Sequence, residues 1–106
     1  MTTTQQTGIA VCIRTTYRQR PNGNELDLVE GVLSLSRSCW AAPGFVGTQV
    51  LRSEKGDEIQ TISQWRSYAD YEAASNIPSY ARIRKTLTDA RDVEIEVAEL
   101  LAVDGR

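Results

Sequence analysis

From residue 8 onward hydrophobic and polar positions alternate: Ile9, Val11 and Ile13 fall on one side of GIAVCIRTTY, which predicts a strand over residues 8–17. The period then changes. Pro21-Asn22-Gly23 signals a turn, and Asn22 with Glu25 three residues on resembles a capping box that opens a helix. Leu28, Val32, Leu35 and Cys39 recur at helical spacing, flanked by Val29 and Leu33, so the helix is predicted over residues 25–40 and ends at Pro43-Gly44. Two strands are predicted at FVGTQVLR, residues 45–52, and EIQTISQW, residues 58–65. The SEKGD between them, with Gly56 free to take a positive φ, makes the pair a hairpin. Ser67 with Asp70 three residues later marks a second helix start, which Asn76-Ile77-Pro78 interrupts. Pro78 then opens a helix whose Tyr80, Ile83 and Leu87 share a face. Val93, Ile95, Val97, Leu101 and Val103 form a last alternating strand.

The order β-α-β-β-α-β predicts a ferredoxin-like α+β domain, an antiparallel sheet with helices on one face. The whole chain, 1–106, makes one domain, with residues 1–7 expected as a flexible N-terminus. In the last strand Ala98, Leu100 and Ala102 are apolar on the opposite side, and Ala10 and Cys12 do the same in the first. Strands apolar on both sides are covered on both sides. The helices cover one, so a second copy is expected over the other, giving a homodimer with sheets face to face.

Charge and composition narrow the functions. Twelve basic residues stand against 14 acidic ones with no basic stripe, which argues against nucleic-acid binding. No apolar run reaches membrane-spanning length, and MTTTQQTG lacks the regions of a secretory signal, so no membrane partner is expected. Cys12 and Cys39 suit a reduced, cytoplasmic protein and read as small buried hydrophobes. There is no histidine, which removes Ser-His and Cys-His catalysis and proximal-histidine haem ligation. No nucleotide, metal-protease or calcium motif is present.

The stretch QWRSYADYE holds three of the chain's seven aromatic residues. Strand alternation places Ile59, Thr61, Ser63 and Trp65 on one face. Tyr68 and Tyr71 are three apart on the next helix, and Tyr80 and Arg84 four apart on the one after. If Trp65 faces the helices, these groups converge on an apolar slot edged by phenols and a guanidinium, the build of a pocket for a small planar molecule. Each has an ordinary alternative: Trp and Tyr as core, Arg84 as a solvated stem, Thr61 as a strand former. Trp40 is read as a packing lid, and the acidic groups 54/57/58 and 94/96/99 as solvated strand edges. Arg82, Arg84 and Lys85 make too small a patch to hold a polyanion.

The segments PGFVG at 43–47, QWRS at 64–67 with Tyr71, and IRKTL at 83–87 resemble the antibiotic biosynthesis monooxygenase family over roughly residues 8–103. The resemblance implies a dimeric α+β barrel. Within the family it leans toward cofactor-independent, anthrone-type oxygenases of aromatic polyketide pathways, which oxidise polycyclic phenols to quinones with O2 alone. Such enzymes place an asparagine four residues before the tryptophan, a tyrosine six after it and an arginine on the later helix. Trp65, Tyr71 and Arg84 occupy those places, but Thr61 stands where the asparagine would be, one hydroxyl in place of an amide. The implied roles are Trp65, Thr61 and Arg84 as catalytic groups, with Trp65 stacking on the substrate or bonding it through its indole N–H. Tyr71, Tyr68 and Tyr80 would bind substrate, with no cofactor or metal. A cyclase or isomerase in the same pocket, or a non-catalytic binding or accessory protein, are the alternatives.

Overall fold

The computed structural model describes residues 9–19, 23–89 and 91–105. The expected flexible residues 1–7 and the Pro21-Asn22 half of the first turn lie outside them. Four strands and three helices follow in the predicted order: β1 (Val11–Arg18), α1 (Glu25–Arg37), β2 (Phe45–Arg52), β3 (Glu58–Trp65), α2 (Tyr68–Ala74), α3 (Pro78–Asp89) and β4 (Val93–Glu99). All pairings are antiparallel and the sheet order is β2-β3-β1-β4. The βαββαβ order with helices on one face is the ferredoxin-like α+β fold.

Alternation fixes which side each strand residue takes. Ile13, Thr15 and Tyr17 of β1 and Ile59, Thr61 and Trp65 of β3 are buried toward the helices, with Thr15 directly across from Thr61. Helix α1 lays Leu28 and Val32 on this surface, and α3 adds Tyr80 and Leu87. Gly31 lets the two helices approach, since a Cβ there would come within 2.8 Å of Leu87 Cδ2. Two clusters result: Tyr17, Leu28, Val32, Ile59 and Leu87 at one end, and Ile13, Cys39, Trp65, Tyr71, Ala74 and Tyr80 at the other. Leu35 packs against both.

Local signals set the joints. Ser67 caps α2 by accepting from Asp70 N–H at 3.1 Å. Gly56 turns the hairpin at φ 77°. Gly44 is required twice over: its φ is 80°, and a Cβ would run into the Asp70 carboxylate. Its carbonyl also accepts from Arg66 N–H at 2.8 Å, which ties the start of β2 to the end of β3.

Several boundaries depart from expectation. Asn22 lies outside the described residues, and the cap of α1 is Asn24, whose side chain accepts from Leu26 N–H at 2.9 Å. Helix α1 stops at Arg37, so Trp40 sits in the following turn. Trp40 is 71% exposed and is no packing lid. Strand β4 ends at Glu99, short of Leu101 and Val103, although Leu100 N–H still donates to Ala10 O at 2.8 Å.

The expectation of apolar residues on both sides holds only in part. Away from the helices, Cys12 pairs with Ala98, but the next rows are Arg14 opposite Glu96 and Thr16 opposite Glu94. Ion pairs of Arg14 with Glu96 and of Arg18 with Glu58 and Glu94 make this part of the face polar. The exposed apolar residues of β4 instead lie on the helix side, where Ile95 is 41% and Val97 50% exposed because α1 and α3 stop short of this edge.

Candidate active site

A cleft opens between the sheet and α1, at the seam of the two core clusters. With its mouth it measures about 390 Å³, and it narrows to about 30 Å³ that water can occupy. Its floor is the helix-facing side of β1 and β3: Thr15, Tyr17, Thr61, Ser63 and Trp65. Val32, Leu35 and Cys39 of α1 and its turn form one wall, and Tyr80 of α3 another. Strand alternation on two paired strands is what lines up the floor.

The hydroxyls set the chemistry. No side-chain hydrogen bond within the described residues engages those of Thr15, Tyr17, Thr61 or Tyr80, yet no fully buried side-chain oxygen among those residues lacks a partner. All four residues are buried. Their hydroxyls therefore keep access to the cleft and are free to bond whatever enters it. Trp65 is 1% exposed and closes one end. Its ring stands edge-on to Phe45 at 5.1 Å and to Tyr71 at 5.7 Å between centroids, an arrangement that suits aromatic quadrupoles. Its indole N–H donates to Ser63 Oγ at 3.1 Å, so that N–H is already engaged and the polar group on this part of the lining is the Ser63 hydroxyl.

Burial dominates the acidity of these groups. It pushes the Tyr17 phenol up to about 12, partly opposed by the positive charges of Arg84 and Arg91. Burial raises Tyr80 as well, with the neighbouring Tyr71 adding to the shift and Arg84 opposing it. The Cys39 thiol is also raised by burial. At neutral pH Tyr17 and Tyr80 are thus protonated donors, unsuited to act as bases.

Of the residues singled out from sequence, Trp65, Thr61 and Tyr80 line the cleft. Tyr71 stands behind the Trp65 ring and does not reach it. Tyr68 is 46% exposed and leans on Tyr71 at 5.9 Å. Arg84 is half-buried, off the lining, but close enough to act on the charge of both Tyr17 and Tyr80. Sequence reasoning missed Tyr17 and Thr15. Extending the alternation of β1 two steps past Ile13 finds Tyr17, whereas Thr15 matters because the register sets it against Thr61. Among the described residues no group of three or more Cys, Asp or Glu could hold a metal ion, and no helix is long and apolar enough to cross a membrane.

The sequence profile of the antibiotic biosynthesis monooxygenase family matches residues 12–86. No curated protein matches by sequence. Among solved structures, a monooxygenase from the gene ActVA-Orf6 of Streptomyces coelicolor, in complex with nanaomycin D, superposes with a TM-score of 0.80 at 16% identity, covering 93% of this chain and 94% of that one. A variant of SnoaB, a cofactor-independent oxygenase of Streptomyces nogalater, gives 0.76 at 16% identity over 84% and 90%. Rv0793 of Mycobacterium tuberculosis gives 0.72 at 18% over 91% and 97%. At such identities these likenesses speak to the fold.

Proposed function

The chain belongs to the antibiotic biosynthesis monooxygenase family, and from that premise we propose that it is a cofactor-independent oxygenase acting on a planar polycyclic phenol in the cleft between sheet and helices. One observation carries the reading: the hydroxyls of four buried residues, engaged by no side-chain hydrogen bond among the described residues, stay open to a space closed by an indole ring. Apolar walls with a few convergent donors are how proteins hold flat phenolic molecules. The resemblance to SnoaB, a cofactor-independent oxygenase, points the same way.

The reaction balances without a resident redox group. A methylene held between two phenolic rings loses a proton to give a delocalised anion, and one electron passes to O2. The substrate radical and superoxide combine into a peroxide, which takes up a proton, and loss of water leaves the carbonyl. In sum, CH2 plus O2 gives C=O plus H2O. The protein's work is to favour the anion and keep bulk water away. Tyr17 and Tyr80, held protonated by burial, donate to the substrate oxyanion. Thr61 and Thr15 add donors from the floor, and Arg84 contributes positive charge from behind the phenols. Trp65 provides the stacking wall, while Tyr71 and Tyr68 brace that ring and hold the substrate indirectly.

The cleft in its present state is narrower than the several hundred Å³ that ligand pockets occupy, so binding requires it to widen. Thr61 in place of an amide favours a second reading, in which the same donors stabilise an enolate in a cyclase or isomerase without O2. Oxygen uptake with a hydroxylated anthrone separates the two. The oxygenase consumes one O2 per quinone and loses most of its rate in Tyr80→Phe; turnover under strict anaerobiosis would support the cyclase. No rate above the spontaneous oxidation in either case leaves a binding or accessory role.

The protein is also a homodimer in this reading. The exposed Ile95, Val97 and Leu101 make an apolar edge at β4, which a second copy would cover. Sedimentation that finds a monomer at micromolar concentration refutes it.

A further inference from the structure

A second, wider cleft lies on the outer side of α1, about 880 Å³ with its open mouth. It is lined by Leu33 and Ser36 of α1, by Trp40, and by Phe45, Val46 and Thr48 of β2. Ser36, Phe45 and Thr48 also line the inner cleft, so these three side chains are the partition between the two spaces. Helix geometry explains the arrangement. Leu33, Ser36 and Trp40 follow one stripe of α1 and its turn, Val32, Leu35 and Cys39 the neighbouring stripe, so the first row lines the outer space and the second the inner one, with Ser36 bordering both. The partition is held by one neutral hydrogen bond, Ser36 Oγ to Thr48 Oγ1 at 3.0 Å. Its third member, Phe45, packs on Trp65 at 5.1 Å and lines the outer cleft together with the solvent-facing Trp40, so one ring borders both spaces.

Two further details mark the outer cleft as built. The turn after α1 fixes Trp40 through Trp40 N–H to Arg37 O at 3.2 Å and Cys39 N–H to Ser36 O at 2.9 Å, aiming Cys39 inward and Trp40 outward. A register shift between Phe45 and Gly47 breaks the regular β2–β3 pairing at Val46, which is partly exposed and lines this cleft.

Resting on the reading of the inner cleft given above, we infer that the gap between α1 and β2 is the entrance to it, and that Trp40, Leu33 and Val46 form an outer shelf that first stacks a planar aromatic molecule before the Ser36–Thr48 bond opens to admit it. The shelf takes fused-ring phenols or quinones, whose flat faces suit the indole and whose edge oxygens can replace the Ser36–Thr48 bond as they pass.

The test uses 1,8-dihydroxyanthraquinone as a probe with the full chain. Its absorbance change reports affinity and association rate for the parent protein, Trp40→Ala and Trp40→Phe; Trp40 is exposed, so both variants keep the fold. In parallel, Trp65→Phe leaves Trp40 as the sole indole and Trp40→Phe leaves Trp65. The expected result is a shift of Trp40 emission to shorter wavelength on binding, with affinity or association rate lowered roughly two- to tenfold in Trp40→Ala and restored in Trp40→Phe. Quenching of Trp65 with no shift of Trp40 and an unchanged Trp40→Ala would overturn the entrance and leave the inner site standing. No response of either indole and no absorbance change would remove both. A Trp40 shift that depends on protein concentration without the probe would make the patch a contact between chains and also defeat the inference.

Discussion

The end of the core built on Leu28, Val32, Ile59 and Leu87 is almost wholly aliphatic, with Tyr17 as its one ring, whereas the end around Trp65 gathers Phe45, Tyr71 and Tyr80, with the Trp65 ring edge-on to Phe45 and Tyr71. Both ends exclude water equally well, since Ile59 and Trp65 are each 1% exposed. They differ in what happens to polar groups. The aliphatic end carries one, the Tyr17 hydroxyl, and turns it toward the seam. The aromatic end is bordered by Thr61, Ser63 and Thr15, and the cleft opens where the two ends meet. A chain this small can leave the hydroxyls of several buried residues open to a ligand only if the rest of its interior, made largely of hydrocarbon, holds the fold.

Removing a ring gives the largest test of that contrast. Trp65→Ala is expected to cost about 3–5 kcal/mol in urea denaturation, since it empties the most enclosed large side chain. A cost under about 1 kcal/mol would mean the aromatic end is not core at all. Next, Leu87→Ala should cost about 2–5 kcal/mol while the folded fraction keeps its probe affinity, because Leu87 is off the cleft. Affinity falling with stability would show that the two ends are not separable. A smaller effect follows from pH. The folded Tyr17 and Tyr80 hold their protons above the unfolded value near 10, so their contribution to stability is full below about pH 10 and is lost as pH rises toward 12 and beyond. Tyr17→Phe should shallow that decline in alkaline melts, and an unaltered slope would place the titration elsewhere. The smallest stability effect belongs to Thr61→Val, which removes a hydroxyl engaged by no side-chain hydrogen bond among the described residues and should change the melt by no more than about 0.5 kcal/mol. Its probe affinity should nevertheless fall roughly two- to tenfold. Unchanged affinity would return Thr61 to the role of strand former.

What could be read from sequence was local. The Ser67 cap, the Gly56 hairpin and the inward face of β3 each depend on residues within a few positions of one another, and each is in place. The departures come from distance. Tyr68 and Tyr71 are three apart on a seven-residue helix, and a three-residue step falls some 60° short of a full turn. At the rim of the domain that angle suffices to leave Tyr68 in solvent. Thr15 became part of the floor only through its pairing with Thr61, a register that no single strand encodes. Trp40 looked like the last turn of a helical stripe, but α1 ends three residues earlier and the turn reverses the side chain outward. The β4 edge reads as core by alternation, yet the helices are too few to reach it.

The place of β2 at the rim of the sheet bears on how the protein behaves in concentrated solution. An outermost strand with Val46 and Leu51 partly bare is a template on which another strand can stack, the first step toward fibrils. The irregularity at Phe45/Gly47 breaks the flatness such stacking needs, and the ion pair of Arg52 with Glu25 puts charged side chains at the far end. Substitutions that straighten this strand, or that replace the paired Arg52 and Glu25 with apolar residues, are therefore expected to lower the concentration at which the protein precipitates.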